Sequence, residues 1–145
     1  MFFLFLFLFA CRLGVPPQNN GYFVQKIHSQ GVEFGVDQML RKSFVRALSH
    51  RQATGGSPVQ LDYLKIEEKL IYTRDKKQIW QVEMRLQIRT IKDRQLVVFD
   101  KESYSFQSPI QFADSRRQAY VRLSNRLSER AVTWLLFAPG VSHDE

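Results

Sequence analysis

Trp80, Val82, Met84, Leu86 and Ile88 alternate without exception with Gln81, Glu83, Arg85, Gln87 and Arg89. A period of two is that of a strand with one apolar face and one polar face. Wound as a helix, the same residues would scatter their apolar side chains around the whole surface. The stretch therefore demands a sheet, and something apolar to cover one side of it. Polar turns flank it at Arg74-Asp-Lys-Lys77 and Lys92-Asp-Arg94. Beyond them lie Val59 to Tyr72 and Gln95 to Phe106, both rich in β-formers. Turns this short join antiparallel neighbours. In the first of these stretches the alternation changes phase near Tyr63-Leu64, which predicts a bulge.

The cover must be helical. Val36, Met39, Leu40, Phe44, Ala47 and Leu48 recur at helical spacing, with Arg41, Lys42, Arg46 and Ser49 opposite. This predicts an amphipathic helix from Val36 to about Arg51. Ala53-Thr-Gly-Gly-Ser-Pro58 breaks it, and Gly21 to Ile27 before it reads as a strand. After Ser108-Pro109, Asp114 is expected to cap a last helix. That helix turns Tyr120, Leu123, Leu127, Ala131 and Trp134 inward and stops at Pro139-Gly140. The expected fold is α+β in the order β-α-β-β-β-α: a four-stranded, largely antiparallel sheet with two helices on one face. The domain covers 21–138, and 139–145 form a tail. Trp80, Met84 and Leu86 should lie beneath the helices, against Leu127 and Trp134. The polar face of Gln81 to Arg89 looks to water or to a partner.

Ahead of this domain, Phe2 to Ala10 are almost purely Phe and Leu. At ~1.5 Å per residue this run cannot cross a ~30 Å hydrocarbon core. It fits the apolar region of a signal peptide, although no Lys or Arg precedes it. Residues 1–10 are thus read as a lipoprotein signal peptide. Leu8-Phe9-Ala10-Cys11 resembles a bacterial lipobox, so Cys11 is expected to carry a diacylglyceryl group and to begin the mature chain. Each buried acyl CH₂ contributes about 0.8 kcal/mol of membrane affinity. Residues 11–20, with Pro16-Pro17 and Asn19-Asn20, read as the lipidated tether. Cys11 is the single cysteine, which excludes an intrachain disulfide and a metal site of zinc-finger type.

The formal net charge is +7, and the first ten residues contribute none of it. A basic domain favours anionic partners: nucleic acid, phospholipid or lipopolysaccharide. Basic residues gather in the turn at Arg74, Lys76 and Lys77, and along the last helix at Arg116, Arg117, Arg122, Arg126 and Arg130. Either group suits phosphates. Equally, the turn is a solubilising one and the arginines pair with acids from elsewhere in the chain. Enzymatic activity is not expected. No G-x-S-x-G, H-E-x-x-H or Gly-rich phosphate loop occurs, and His28, His50 and His143 are scattered. Asp62, Glu67 and Glu68 read as alternating charges on a wet strand face. No cofactor or metal is called for. An RNA-recognition sheet needs exposed aromatics where this strand offers Gln, Glu and Arg, so nucleic acid is not expected as a partner and a basic nucleic-acid-binding α+β module is the less favoured alternative. An envelope lipoprotein serving some other complex stays open.

Four segments carry a resemblance. They are Gly35 to Leu48, Val59 to Ile66, the aromatic-led Trp80 to Ile88, and Ala119 to Leu127, in this order behind a lipobox cysteine. Together they resemble the LptE family of lipopolysaccharide-assembly lipoproteins. The resemblance spans nearly the whole mature chain and rests on residue classes and their order. It implies an outer-membrane lipoprotein facing the periplasm, seated as a plug in the LptD-type β-barrel translocon. Such a protein assists barrel assembly and lipopolysaccharide delivery. Arg12, where an Asp would signal inner-membrane retention, agrees with that sorting. The resemblance further implies lipopolysaccharide contacts near the strand 2–3 turn and the start of the last helix. Those positions are Arg74, Lys76 and Lys77, and Arg116 and Arg117. The meander should bring both clusters to one end of the fold, as one anion site.

Overall fold

The structure, a computed structural model, describes residues 21–28 and 35–137. Cys11, the apolar run, the tether and the 139–145 tail lie outside the described residues. The elements run β1 (Tyr22–His28), α1 (Val36–His50), β2 (Ser57–Arg74), β3 (Lys77–Thr90), β4 (Gln95–Phe106) and α2 (Pro109–Phe137). The sheet order is β1-β2-β3-β4. Parallel pairing joins β1 to β2, and the other two pairs are antiparallel. This is the expected α+β fold.

One face of β3 carries the core. Val82, Met84, Leu86 and Ile88 are buried, with Val59 and Leu61 of β2 beside them. Leu40, Phe44 and Leu48 of α1 and Leu123, Leu127 and Val132 of α2 complete the same cluster. Trp80 is only half-buried, at the end of this row, and its indole N–H donates to Gln78 Oε1 at 3.0 Å. Trp134 is half-buried too, under the Arg94 guanidinium at 4.6 Å from the ring. Both indoles thus keep a polar contact at the rim instead of the central place expected for them.

The bulge stands where the alternation slips, between Tyr63 and Lys65. It decides the fate of three acids. Asp62, opposite Gln87, stays on the open face and receives Arg89 at 2.6 Å. Glu67 is also on that face, at 2.5 Å from Lys65. The extra residue shifts Glu68 to the helix side, opposite buried Val82.

Asp114 does not cap α2. The helix opens five residues earlier, at Pro109, and Asp114 is exposed within it. Proline suits a first helical position: its φ is already helical, and its missing N–H would have found no partner there. Gln111 closes the first turn, donating its N–H to the Ser108 carbonyl at 3.1 Å and accepting from Gln107 N–H at 3.2 Å.

Gly21 and Gly55 let β1 start hard against the loop leading into β2. A Cβ on Gly55 would overlap the Gly21 backbone, whereas one on Gly56 meets nothing. Gly55→Ala is therefore expected to cost about 1–3 kcal/mol by overpacking. Gly56→Ala should lie within about 0.5 kcal/mol of the parent. Urea titration of the two variants distinguishes them.

Candidate functional site

The β2–β3 hairpin ends in a two-residue turn, Asp75-Lys76, with Arg74 paired to Lys77. Both turn residues have positive φ, 47° and 66°, the geometry that follows the right-handed twist of a hairpin. Asp tolerates it; Lys76 accepts strain there. The turn holds Arg74, Lys76 and Lys77 exposed at the tip. A cavity of about 240 Å³ opens beside them, lined by Tyr72, Arg74, Asp75, Lys77, Ile79 and Gln107. Tyr72 lies opposite Ile79, and Arg74 opposite Lys77, so two cations rim an apolar floor. Asp75 stands 3.4 Å from the Arg74 guanidinium. Gln107 shows that the chain entering α2 passes this tip, as the meander requires.

Arg116 does not join the cluster. Its Nε donates to Glu68 Oε1 at 2.8 Å, and Tyr120 Oη donates to the same oxygen at 2.5 Å. Tyr104 Oη donates to Glu68 Oε2 at 3.3 Å. Glu68 is six residues from Arg74 along β2, roughly 20 Å at ~3.3 Å per residue. Arg117, one position on, is exposed. The two clusters are thus held apart, and Arg116 acts inside the fold.

The remaining arginines of α2 do not form a free basic face. Arg126 donates to Asp100 Oδ2 at 2.7 Å, Glu102 Oε2 at 2.6 Å and the Lys101 carbonyl at 2.7 Å. Arg122 reaches Glu102 at 2.8 Å, and Arg130 reaches the Phe99 carbonyl at 3.1 Å. Asp100 and Glu102 lie opposite Met84 and Val82, on the helix side of edge strand β4. Pairing with acids from elsewhere is what this helix face does. The sequence reading also missed Phe99, which is exposed on the open face with Arg85 5.8 Å from its ring centre. The alternation of β4 carries that information: Val98 is buried, so Phe99 cannot be.

The two tyrosines on Glu68 titrate late. Burial first, then the Glu68 carboxylate, push Tyr104 up to about 12 and Tyr120 higher still. A folded value above the unfolded one, about 10, gives stability that is complete below the unfolded value. It is lost as pH rises through the window above it. At Asp100 and Glu102 burial raises the pKa, but the Arg126 and Arg122 bonds outweigh it and both carboxylates end up lowered. Their contribution is present above the ordinary carboxylate range and is lost as pH falls through the folded values. Thermal unfolding from pH 2 to 12 should therefore fall at both ends. Tyr120→Phe should flatten only the alkaline limb, and Arg126→Gln only the acid one.

No family model matches the sequence, and no curated protein matches it. Solved structures do share the fold. A minor lipoprotein from Acinetobacter baumannii superposes with a TM-score of 0.54 at 9% identity, over 81% of this chain and 92% of that one. A chain named as a candidate lipoprotein from Caulobacter crescentus gives 0.51 at 12% identity, over the same shares. A protein from Xanthomonas campestris gives 0.50 at 12% identity, over 77% and 83%. Identities this low carry the architecture alone.

Proposed function

We propose that this chain is a non-enzymatic lipoprotein of the bacterial outer membrane, anchored through Cys11, that serves lipopolysaccharide assembly. In this reading it stands in the lumen of an LptD-type β-barrel, helps that barrel assemble, and meets lipopolysaccharide at its hairpin tip. The observation that carries the reading is the cavity of about 240 Å³ where Arg74 and Lys77 rim an apolar floor of Tyr72 and Ile79. An amphiphile with phosphate beside hydrocarbon fits that arrangement: the cations take the phosphate, and the floor takes the first methylenes. Lys76 adds a third cation at the turn. Arg117 stays an outlying contact, and Arg116 is assigned to the Glu68 cluster instead.

Three further facts support the reading. The lipobox-like sequence at Cys11 supplies an anchor. The fold is one found in a lipoprotein of Acinetobacter baumannii. The β2–β3 hairpin, limited by the fourteen residues of β3, reaches roughly 46 Å at ~3.3 Å per residue. That exceeds the ~40–45 Å of a bilayer with its headgroups, so the hairpin can extend across one inside a lumen.

The test uses the full chain in nonionic detergent with purified lipopolysaccharide. Joint replacement of Arg74, Lys76 and Lys77 by Gln should weaken binding about tenfold or more, since three partly exposed pairs at up to ~1 kcal/mol each are lost. The salt dependence of binding should shrink with it, and the thermal midpoint should hold. Wild-type affinity in the triple variant at low salt would remove the hairpin tip from the site. Tighter binding of single-stranded RNA than of lipopolysaccharide in the same buffer would replace the ligand class. Cys11→Ala should lose palmitate labelling, and mass spectrometry of material co-purified from outer membrane should find a large β-barrel.

A further inference from the structure

Each stretch of sheet edge is an unpaired row of backbone donors and acceptors, and arginines meet parts of this one. Along β4, Arg126 donates to the Lys101 carbonyl at 2.7 Å and Arg130 to that of Phe99 at 3.1 Å. Along β1, Arg41 donates to the Val24 carbonyl at 3.0 Å. One stretch differs. The described pairing of β1 with β2 ends at His28 and Asp62, while β2 continues to Arg74, among the described residues bonded to β3 alone. Among the described residues, no other strand pairs with 66–74 on its outer side.

Edge strands are ordinarily blunted by lysine, proline, a bulge or a covering element, and of the lysines this stretch carries Lys69 alone. Here three consecutive large apolar residues, Leu70, Ile71 and Tyr72, are 48%, 51% and 48% exposed. Ile71 is the extra residue of a second bulge, between Leu70 and Tyr72. The hairpin from 65 to 77 carries five basic residues against three acidic ones. Each acid is already engaged: Glu67 by Lys65, Glu68 by Arg116 and Asp75 by Arg74.

We infer that the outer edge of β2, over 66–74, is a strand-addition site for an extended segment of another polypeptide in which apolar and acidic residues alternate. Only extended backbone offers donors and acceptors at the spacing of a strand edge. The apolar residues of the segment pack on Leu70 and Ile71, and its acids meet the excess positive charge. A second copy of this chain is the poorer partner, because it would bring two hairpins of the same net sign together. The inference goes beyond the lipopolysaccharide reading and does not rest on it, since the edge and the cavity rim can be altered separately.

The experiment follows amide hydrogen exchange of the full chain in nonionic detergent. The probes are two eight-residue peptides, one alternating valine with glutamate and one valine with lysine. The glutamate peptide should slow exchange within 66–74 at least tenfold, and the lysine peptide should not at the same concentration. Methylating alternate backbone nitrogens of the glutamate peptide along one edge should abolish the protection. So should the joint replacement Leu70→Gln and Ile71→Gln, which adds no charge, with an unchanged circular dichroism spectrum and unchanged lipopolysaccharide binding. Three results overturn the inference. They are no protection at millimolar peptide, equal protection by the N-methylated peptide, or concentration-dependent protection of 66–74 without any peptide, which would make a second copy the partner.

Discussion

Leu86→Ala should lower the stability of the fold by about 2–5 kcal/mol, the cost of a fully buried leucine and the cavity it leaves. Leu86 is 2% exposed and sits at the middle of β3, between Tyr63 of β2 and Val98 of β4. The inner face of that row belongs to one core with Phe44 and Leu127, so collapse of the neighbours can fill little of the space. Gln87 is the contrast. It points to the open face, where its amide donates to Gln95 Oε1 at 2.7 Å in an exposed hydrogen bond. Gln87→Ala should cost less than about 1 kcal/mol. Guanidinium titration gives both values. A larger loss at Gln87 than at Leu86 would mean that the strand is inside out.

Glu68→Ala should be comparably harmful, at about 2–4 kcal/mol, though no hydrocarbon core is opened. One carboxylate accepts from Arg116, Tyr104 and Tyr120, three donors from two elements other than its own. Removing it strands two nearly buried phenols and takes one contact from a guanidinium that is mostly covered. Hydrogen bonds to a charged partner contribute about 1.5–3 kcal/mol each in a dry setting, and partial exposure of this pair discounts the total. Glu68→Gln keeps the shape and should recover part of the loss. The double variant with Arg116→Met should be less destabilised than the sum of the singles, because both singles remove the same Glu68–Arg116 contact. A strictly additive cycle would show that the cluster is three separate contacts.

The strands were legible because their pattern is local. The alternation from Trp80 to Ile88, the phase slip at Tyr63-Leu64 and the polar turns each sit within a few residues, and each appears in place. The start of α2 was not read, because Asp114 is a good cap on its own and Pro109 outranks it only once Phe106 has ended β4 beside Gln78. The basic residues of the turn are exposed simply because the turn is. The role of Arg116 was beyond reach for a different reason. Its partner Glu68 is 48 residues away, and reaches it only because a bulge moves that carboxylate to the helix side. Composition shows the charges; which charges are already spent is a property of the register.

Tyr22, at the first position of β1, donates to the carbonyl of Leu135 at 3.3 Å, 113 residues along the chain. Ser43 of α1 likewise donates to Asn125 of α2 at 2.8 Å. Both β1 and α1 therefore wait for α2, the last described element, before their contacts are complete. A chain made from its amino end passes through a stage in which the hairpin has formed but one side of it is bare. Contacts of such long span are late and slow, and a bare sheet invites the wrong neighbour meanwhile. A chain cut after Ser108 would be arrested in that state, so proteolysis or premature termination near β4 yields an aggregation hazard in place of a smaller domain.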